Sequence, residues 1–225
     1  MTRQADSGAQ IEWRGAVPVS RRFADPYFSL EDGLAETRHV FLAGNGLPAR
    51  LAPGFAIAEL GFGTGLNLLA TLQLWRDSRV PGRLFYTAFE AFALPPAQML
   101  RAQRAFPELA ALADELAPFW GRTRIELADL SLRLIEGDAR VTLPAWRGRA
   151  DAWYLDGFAP ARNPELWEPP LLEAVFARTV PGGSAATYTA AGAVRRALAA
   201  AGFDVVRRPG HGRKRHMTVA RRPLP

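Results

Sequence analysis

The run Ala58-Glu59-Leu60-Gly61-Phe62-Gly63-Thr64-Gly65-Leu66-Asn67 restricts the possible folds more than any other part of the chain. Before it, Phe55, Ile57 and Leu60 have the apolar character of a buried strand. After it, Leu66, Leu68, Leu69, Leu72 and Trp75 set an inward stripe at helical spacing. Between them, three alternate glycines make a turn whose backbone can approach a ligand, at the sheet edge where α/β folds bind cofactors. A dinucleotide fingerprint, G-x-G-x-x-G, would need a glycine at position 66, where Leu66 stands. The third glycine is Gly65 instead, and Glu59 lies two positions before the first. Such a turn also fits a purely structural bend, so the rest of the chain must decide.

Regular alternation follows it. Strands are expected near 55–60, 84–89, 132–136, 150–155, 184–188, 203–208 and 214–220. Helices are expected near 65–76, from Pro95-Pro96, and near 108–120, 170–178 and 191–201. The short turn Pro209-Gly210-His211-Gly212 forces the last two strands to run antiparallel. The expected fold is therefore α/β and Rossmann-like, a seven-stranded and mostly parallel sheet ending in an antiparallel hairpin, over 53–225. Ahead of it, 11–52 is expected to form an amino-terminal arm of short strands and turns with a short helix near Gly33–Val40, and 1–10 to be disordered. The arm's aromatics, Trp13, Phe23, Tyr27, Phe28 and Phe41, are expected to serve packing rather than base stacking.

Composition narrows the chemistry. The chain has no cysteine, which excludes disulfides and thiolate nucleophiles, and its three histidines have no metal-ligand spacing, so no metal is expected. No apolar stretch approaches the roughly 18 residues that cross a bilayer, and the polar amino terminus carries no signal core, so no membrane contact and a cytoplasmic location are expected. A net charge of +6 favours polyanionic partners. Lys214 is the single lysine, and a G- and C-rich genome would produce the same arginine bias without any RNA.

Acids at strand ends suggest a site. Glu59, Glu90 and Asp138 fall at the ends of three successive strands, on one sheet edge. An acid at the position of Glu90 can accept bonds from ribose hydroxyls, and one after Gly137 can reach an adenine amine. Asp156 then leaves the next strand in Asp156-Gly157-Phe158-Ala159-Pro160. A carboxylate there could accept the N–H bonds of a neutral amine, aim its lone pair and offset developing charge, with Phe158 as a wall against water. An aspartate that merely forms a turn before glycine is the plain alternative.

The E-x-G-x-G-x-G run resembles the first motif of class I methyltransferases, which use S-adenosylmethionine. The Asp156 loop looks like a relative of the acid-Pro-Pro-aromatic loop of amine-directed methyltransferases. Further stretches carry a closer likeness: Val19–Phe23, Gly33–Leu42, Glu59–Asn67, Asp156–Pro164 and Gly210–Arg215. Through them the chain is similar to the methyltransferase domain of the MnmC family, bacterial enzymes that complete 5-methylaminomethyl-2-thiouridine in tRNA, and to the single-domain MnmD-like form. The resemblance implies N-methylation of a 5-aminomethyluridine at the tRNA wobble position. It implies Asp156 as the contact to the substrate amine, and Gly61, Gly63, Gly65 and Glu90 as cofactor contacts. Phe158 is expected beside Asp156 as a catalytic residue, and Glu59, Phe62, Thr64, Asn67, Asp138 and Asp156 are expected to complete the cofactor set.

Arg21, Arg22, Arg38, Arg213, Lys214 and Arg215 are the expected contacts to the phosphates of an anticodon stem-loop. Arg213, Lys214 and Arg215 are expected to alternate along the last strand, so at least one should point into packing. The chain ends at Pro225 with no second glycine fingerprint. The expectation is thus methylation alone, without FAD, on aminomethyl-tRNA made by a separate oxidase or another route. A monomer is expected. A small-molecule amine as substrate, or a non-catalytic RNA-binding protein of the same fold, are the competing expectations.

Overall fold

The arm forms its own small sheet in this computed structural model, which describes residues 9–225. The expected disorder at 1–10 thus lies outside the described residues, save Ala9 and Gln10, which have no regular structure. Strands Ile11–Arg14 (β1), Val17–Ser20 (β2) and Asp25–Pro26 (β3) pair antiparallel in that order. Helix Gly33–Thr37 (α1) starts at Asp32, whose carboxylate accepts the Ala35 N–H at 2.8 Å, and continues as a wider π-type turn over Arg38–Ala43.

The main alternation follows as Ala56–Leu60 (β4), Leu66–Asp77 (α2), Leu84–Glu90 (β5), Pro96–Gln103 (α3), Ala110–Leu116 (α4), Arg124–Glu126 (β6) and Leu130–Glu136 (β7). It ends with Ala139–Ala145 (α5), Ala150–Leu155 (β8), Pro169–Ala177 (α6), Thr179–Thr187 (β9), Gly192–Ala200 (α7), Asp204–Pro209 (β10) and His216–Arg221 (β11). The sheet order is β10-β11-β9-β8-β4-β5-β7-β6, with β4, β5, β7, β8 and β9 parallel and β10, β11 and β6 antiparallel to their neighbours. Strand order reverses at β4, and the crevice beyond the carboxyl ends there is where such sheets take ligands.

Strand parity divides the core into two layers. Ile57, Tyr86, Ala152 and Tyr154 pack with α2 and α4, whereas Ala58, Leu60, Phe89, Trp153 and Leu155 pack with α5, α6 and α7. Glu59 shares the parity of Ile57, and so points beneath α2 rather than out of the sheet edge.

Two expectations need correction. The sheet has eight strands, because β6 folds back on β7 through a short turn closed by the Leu127 N–H to the Leu130 carbonyl at 2.8 Å. At three residues, with only Ile125 buried, β6 is too short for its alternation to stand out in the sequence. Strand β9 begins at Thr179, not Ser184: Pro181-Gly182-Gly183 lies inside it, at a register shift against β8 rather than at a stop.

Candidate active site

Three glycines in left-handed conformation, Gly61 (φ 86°), Gly63 (φ 53°) and Gly65 (φ 75°), carry the chain from β4 into α2. A Cβ on Gly61 would strike the carbonyl oxygen of Asp156, so this turn and the end of β8 touch backbone to backbone. Beside that contact opens a cavity of about 720 Å³, a size typical of small-molecule sites. The glycine turn, Phe89–Phe92 at the end of β5, Gly137–Arg140 after β7, Asp156–Ala159 after β8 and Tyr188 after β9 line one side. The arm supplies the other with Phe23, Tyr27, Phe28, Glu36, Thr37 and Phe41.

One amide holds two acids at the base of this cavity. Asn67 donates one N–H to Glu59 Oε1 at 2.7 Å and the other to Asp156 Oδ2 at 2.6 Å, while its carbonyl accepts the Thr37 hydroxyl at 2.9 Å. The Tyr86 hydroxyl donates to Glu59 Oε2 at 2.8 Å. Glu59 is fully buried, and desolvation, reinforced by the charge of Asp156, holds its carboxyl well above the usual range. Asp156 is half-buried and faces the cavity. Burial pushes its carboxyl up to about 7, against the Asn67 hydrogen bond, with Glu36 raising it further and Lys214 lowering it.

The loop after Asp156 is fixed from three directions. The Ala159 N–H donates to Asp25 Oδ2 of β3 at 2.8 Å, the Tyr188 hydroxyl to the Gly157 carbonyl at 2.7 Å, and Trp167 Nε1 to the Phe158 carbonyl at 2.9 Å. Phe158 stacks on Phe23 with centroids 4.8 Å apart and meets Tyr27 edge-on at 5.1 Å. Phe23, Tyr27, Phe28 and Phe41 thus line the cavity as well as packing. Trp13 stays outside it, beneath the Arg101 guanidinium at 3.9 Å.

The expected site residues divide into two groups. Gly61, Phe62, Gly63, Thr64, Asn67, Glu90, Asp138, Asp156 and Phe158 share the cavity wall. Gly65 lies just behind it as the cap of α2, and Glu59 is not part of the wall. Glu90 accepts the Gly63 N–H at 3.0 Å and the Phe92 N–H at 2.8 Å. Asp138 is exposed and caps α5. The Arg140 guanidinium, 2.6 Å away, holds its carboxyl below the usual range.

Among the basic residues, Arg22, Arg213 and Lys214 line the cavity, while Arg21 and Arg215 are exposed outside its wall. Arg38 sits elsewhere, donating to Gln73 at 3.0 Å and pairing with Glu108 at 2.8 Å on the flank of α2. Arg213, Lys214 and Arg215 precede β11 in a turn, so they do not alternate along a strand. Asp25, Glu36, Phe92 and Tyr188 were not anticipated. Of these, only Glu36 lies inside a stretch that carried the resemblance, Gly33–Leu42.

The arrangement can do two things. Bare glycine backbone beside a carboxylate at the β5 end fits a nucleoside-bearing cofactor, and a second carboxylate framed by aromatic rings fits an amine. Among the described residues, no group of three or more His, Asp or Glu is placed to hold a metal ion, and no helix is long and apolar enough to cross a membrane.

A family model described as S-adenosyl-L-methionine-dependent methyltransferase matches residues 107–223. The tRNA 5-methylaminomethyl-2-thiouridine biosynthesis bifunctional protein MnmC of Caulobacter vibrioides is 49% identical over 95% of this chain and 38% of its own length. The protein of the same name from Chromobacterium violaceum is 45% identical over 94% of this chain and 34% of its length. The chain therefore spans less than two fifths of these relatives. The crystal structure of MNMC2 from Aquifex aeolicus superposes with a TM-score of 0.77 at 27% identity, covering 99% of this chain and 73% of that one.

Proposed function

The chain belongs to the S-adenosyl-L-methionine-dependent methyltransferase family, and we propose that it N-methylates the primary amine of 5-aminomethyluridine, with or without sulfur at the 2-position, at the wobble position of tRNA. The observation that carries this reading is the position of Asp156, in one cavity with the glycine turn and walled by Phe158, Phe23 and Tyr27. The names of the relatives support tRNA as the substrate, as do the net charge and the cavity-lining Arg22 and Arg213. In this reading 53–225 is the methyltransferase unit, and the arm over 11–52 completes its substrate wall.

Gly61, Gly63 and Gly65 would let the cofactor lie against bare backbone, with Phe62, Thr64 and Asn67 beside it. Glu90 would accept the ribose hydroxyls, and Asp138 would face the adenine. When bound, S-adenosylmethionine supplies an electrophilic methyl group on sulfur. The rest is the work of the chain. An alkylammonium has no lone pair, and in water an amine of lysine type holds its proton to about pH 10.4. The aromatic wall strips water from the ammonium and lowers that value, while Asp156, near 7, takes the proton and keeps an N–H bond that aims the nitrogen.

Glu90→Ala is expected to weaken S-adenosylmethionine about 10- to 100-fold in isothermal titration calorimetry, the worth of hydrogen bonds to a charged group. A change below threefold would place the ribose elsewhere.

The reading is tested with labelled S-adenosylmethionine and tRNA carrying 5-aminomethyluridine, followed by mass spectrometry of the nucleosides. The expected product is 5-methylaminomethyluridine, with no label on tRNA bearing plain uridine. Turnover of free small amines but not of tRNA would overturn the proposed substrate. An absence of any cofactor binding would favour a non-catalytic RNA-binding protein.

A further inference from the structure

The chain's only lysine lies in the active cavity. Lys214 stands among 28 Lys and Arg residues, every other one arginine, and its ammonium sits 2.7 Å from Glu36 Oε1 and 3.9 Å from the centroid of the Tyr188 ring. Glu36 is buried, its side chain 11% exposed, and belongs to α1. Both partners connect to Asp156 through a neighbour. Thr37, next to Glu36, donates to Asn67, which donates to Asp156; Tyr188, beneath Lys214, donates to the carbonyl of Gly157. The lysine arrives on the turn between β10 and β11, closed by the Lys214 N–H to the His211 carbonyl at 3.0 Å and tied to the arm by the Arg213–Glu31 pair at 2.6 Å. The reaction as proposed uses neither Lys214 nor Glu36.

We infer that Lys214 and Glu36 are positioning residues that act through Asp156: Glu36, from α1, anchors the Lys214 ammonium over the Tyr188 ring, in the cavity that Asp156 faces. The inference rests on the reading of Asp156 as the amine-facing group. The groups around Asp156 are Glu59 from β4, Asn67 from α2, Glu36 from α1, Lys214 from the last turn and Tyr188 after β9. Asp25 of β3 and Glu90 of β5 lie farther round the cavity. The other cations of the wall are engaged elsewhere: Arg22 on the Phe92 ring, Arg140 on Asp138 and Arg213 on Glu31. Lys214 is the cation whose charge lowers Asp156, and Glu36 the anion that raises it. At an effective dielectric near 20–40, a charge that shares this cavity moves a carboxyl by about one pH unit.

Two measurements on the full chain test this. Carbon-13 titration of the Asp156 carboxyl, assigned by its loss in Asp156→Asn, is made without substrate. The pH profile of kcat/KM is taken with aminomethyl-tRNA. Lys214→Met should move both midpoints about one unit towards alkaline pH, and Glu36→Gln should move them roughly half a unit towards acid. Lys214→Arg, which keeps the charge, should return both to the wild-type position. A carboxyl titration unchanged in all three variants overturns the inference and leaves the role of Asp156 intact; a lysine that only contacts RNA would give that result, with a higher KM for tRNA. A titration that shifts while the kcat/KM profile stays fixed overturns the reading of Asp156 itself.

Discussion

Asp156→Asn is expected to lower kcat/KM for aminomethyl-tRNA by about 1,000-fold while leaving S-adenosylmethionine affinity within a few-fold of wild type. The amide keeps the shape, and its oxygen can still accept from Asn67. What it loses is the ability to take the proton of the substrate ammonium, a role worth roughly 100- to 10,000-fold. A variant within tenfold of wild type would remove Asp156 from the chemistry.

The same substitution should stabilise the protein, and only on the alkaline side. Asp156 moves from an ordinary 3.8 to about 7 on folding, so the folded state binds the proton more tightly than the unfolded chain. Its contribution to stability is full below about pH 4 and is lost as pH rises to 7 and beyond. Forcing the buried group to ionise costs about 4 kcal/mol on that difference, and cavity water screens this to roughly 2 kcal/mol. Asp156→Asn, which never ionises, should melt about 5 °C above wild type at pH 8 and level with it near pH 4. An equal melting temperature at both pH values would mean that the carboxyl is not raised.

What could be seen in the sequence was whatever depends on neighbours along the chain. The glycine turn, Glu90 and Asp156 follow from strand ends and spacing, since a parallel sheet brings successive strand ends to one edge. The substrate wall does not, because its contacts join distant segments: Asp25 holds Ala159, and Lys214 holds Glu36. Nothing local marks Phe23 or Tyr27 as cavity residues rather than packing. Arg38 could not be told from a phosphate contact without knowing that Glu108 comes beside it. Glu59 is different: it was expected on the sheet edge among the cofactor contacts, yet it lies buried outside the cavity wall. It alternates in step with Ile57, and that parity alone sends it beneath α2, towards Tyr86 and Asn67.

That buried position makes Asn67 the residue whose loss should damage the protein most broadly. Asn67→Leu keeps the volume but removes both donors shared by Glu59 and Asp156, and the acceptor of Thr37. Breaking one partner of a buried charged group costs about 3–5 kcal/mol, because the other is left in low dielectric without compensation. The two acids can escape part of that cost by binding protons. Without the amide their folded proton affinity rises further above the unfolded value, so the lost stability grows as pH rises. The variant is expected to melt about 3 °C below wild type at pH 5 and about 10 °C below it at pH 8. Its kcat/KM should fall about 100-fold, with the acid limb moved to higher pH, because Asp156 has lost the hydrogen bond that favoured its ionised form. A melting deficit equal at both pH values would show that the amide fills space and nothing more. The two acids would then have to be stabilised by groups other than the one side chain that touches both.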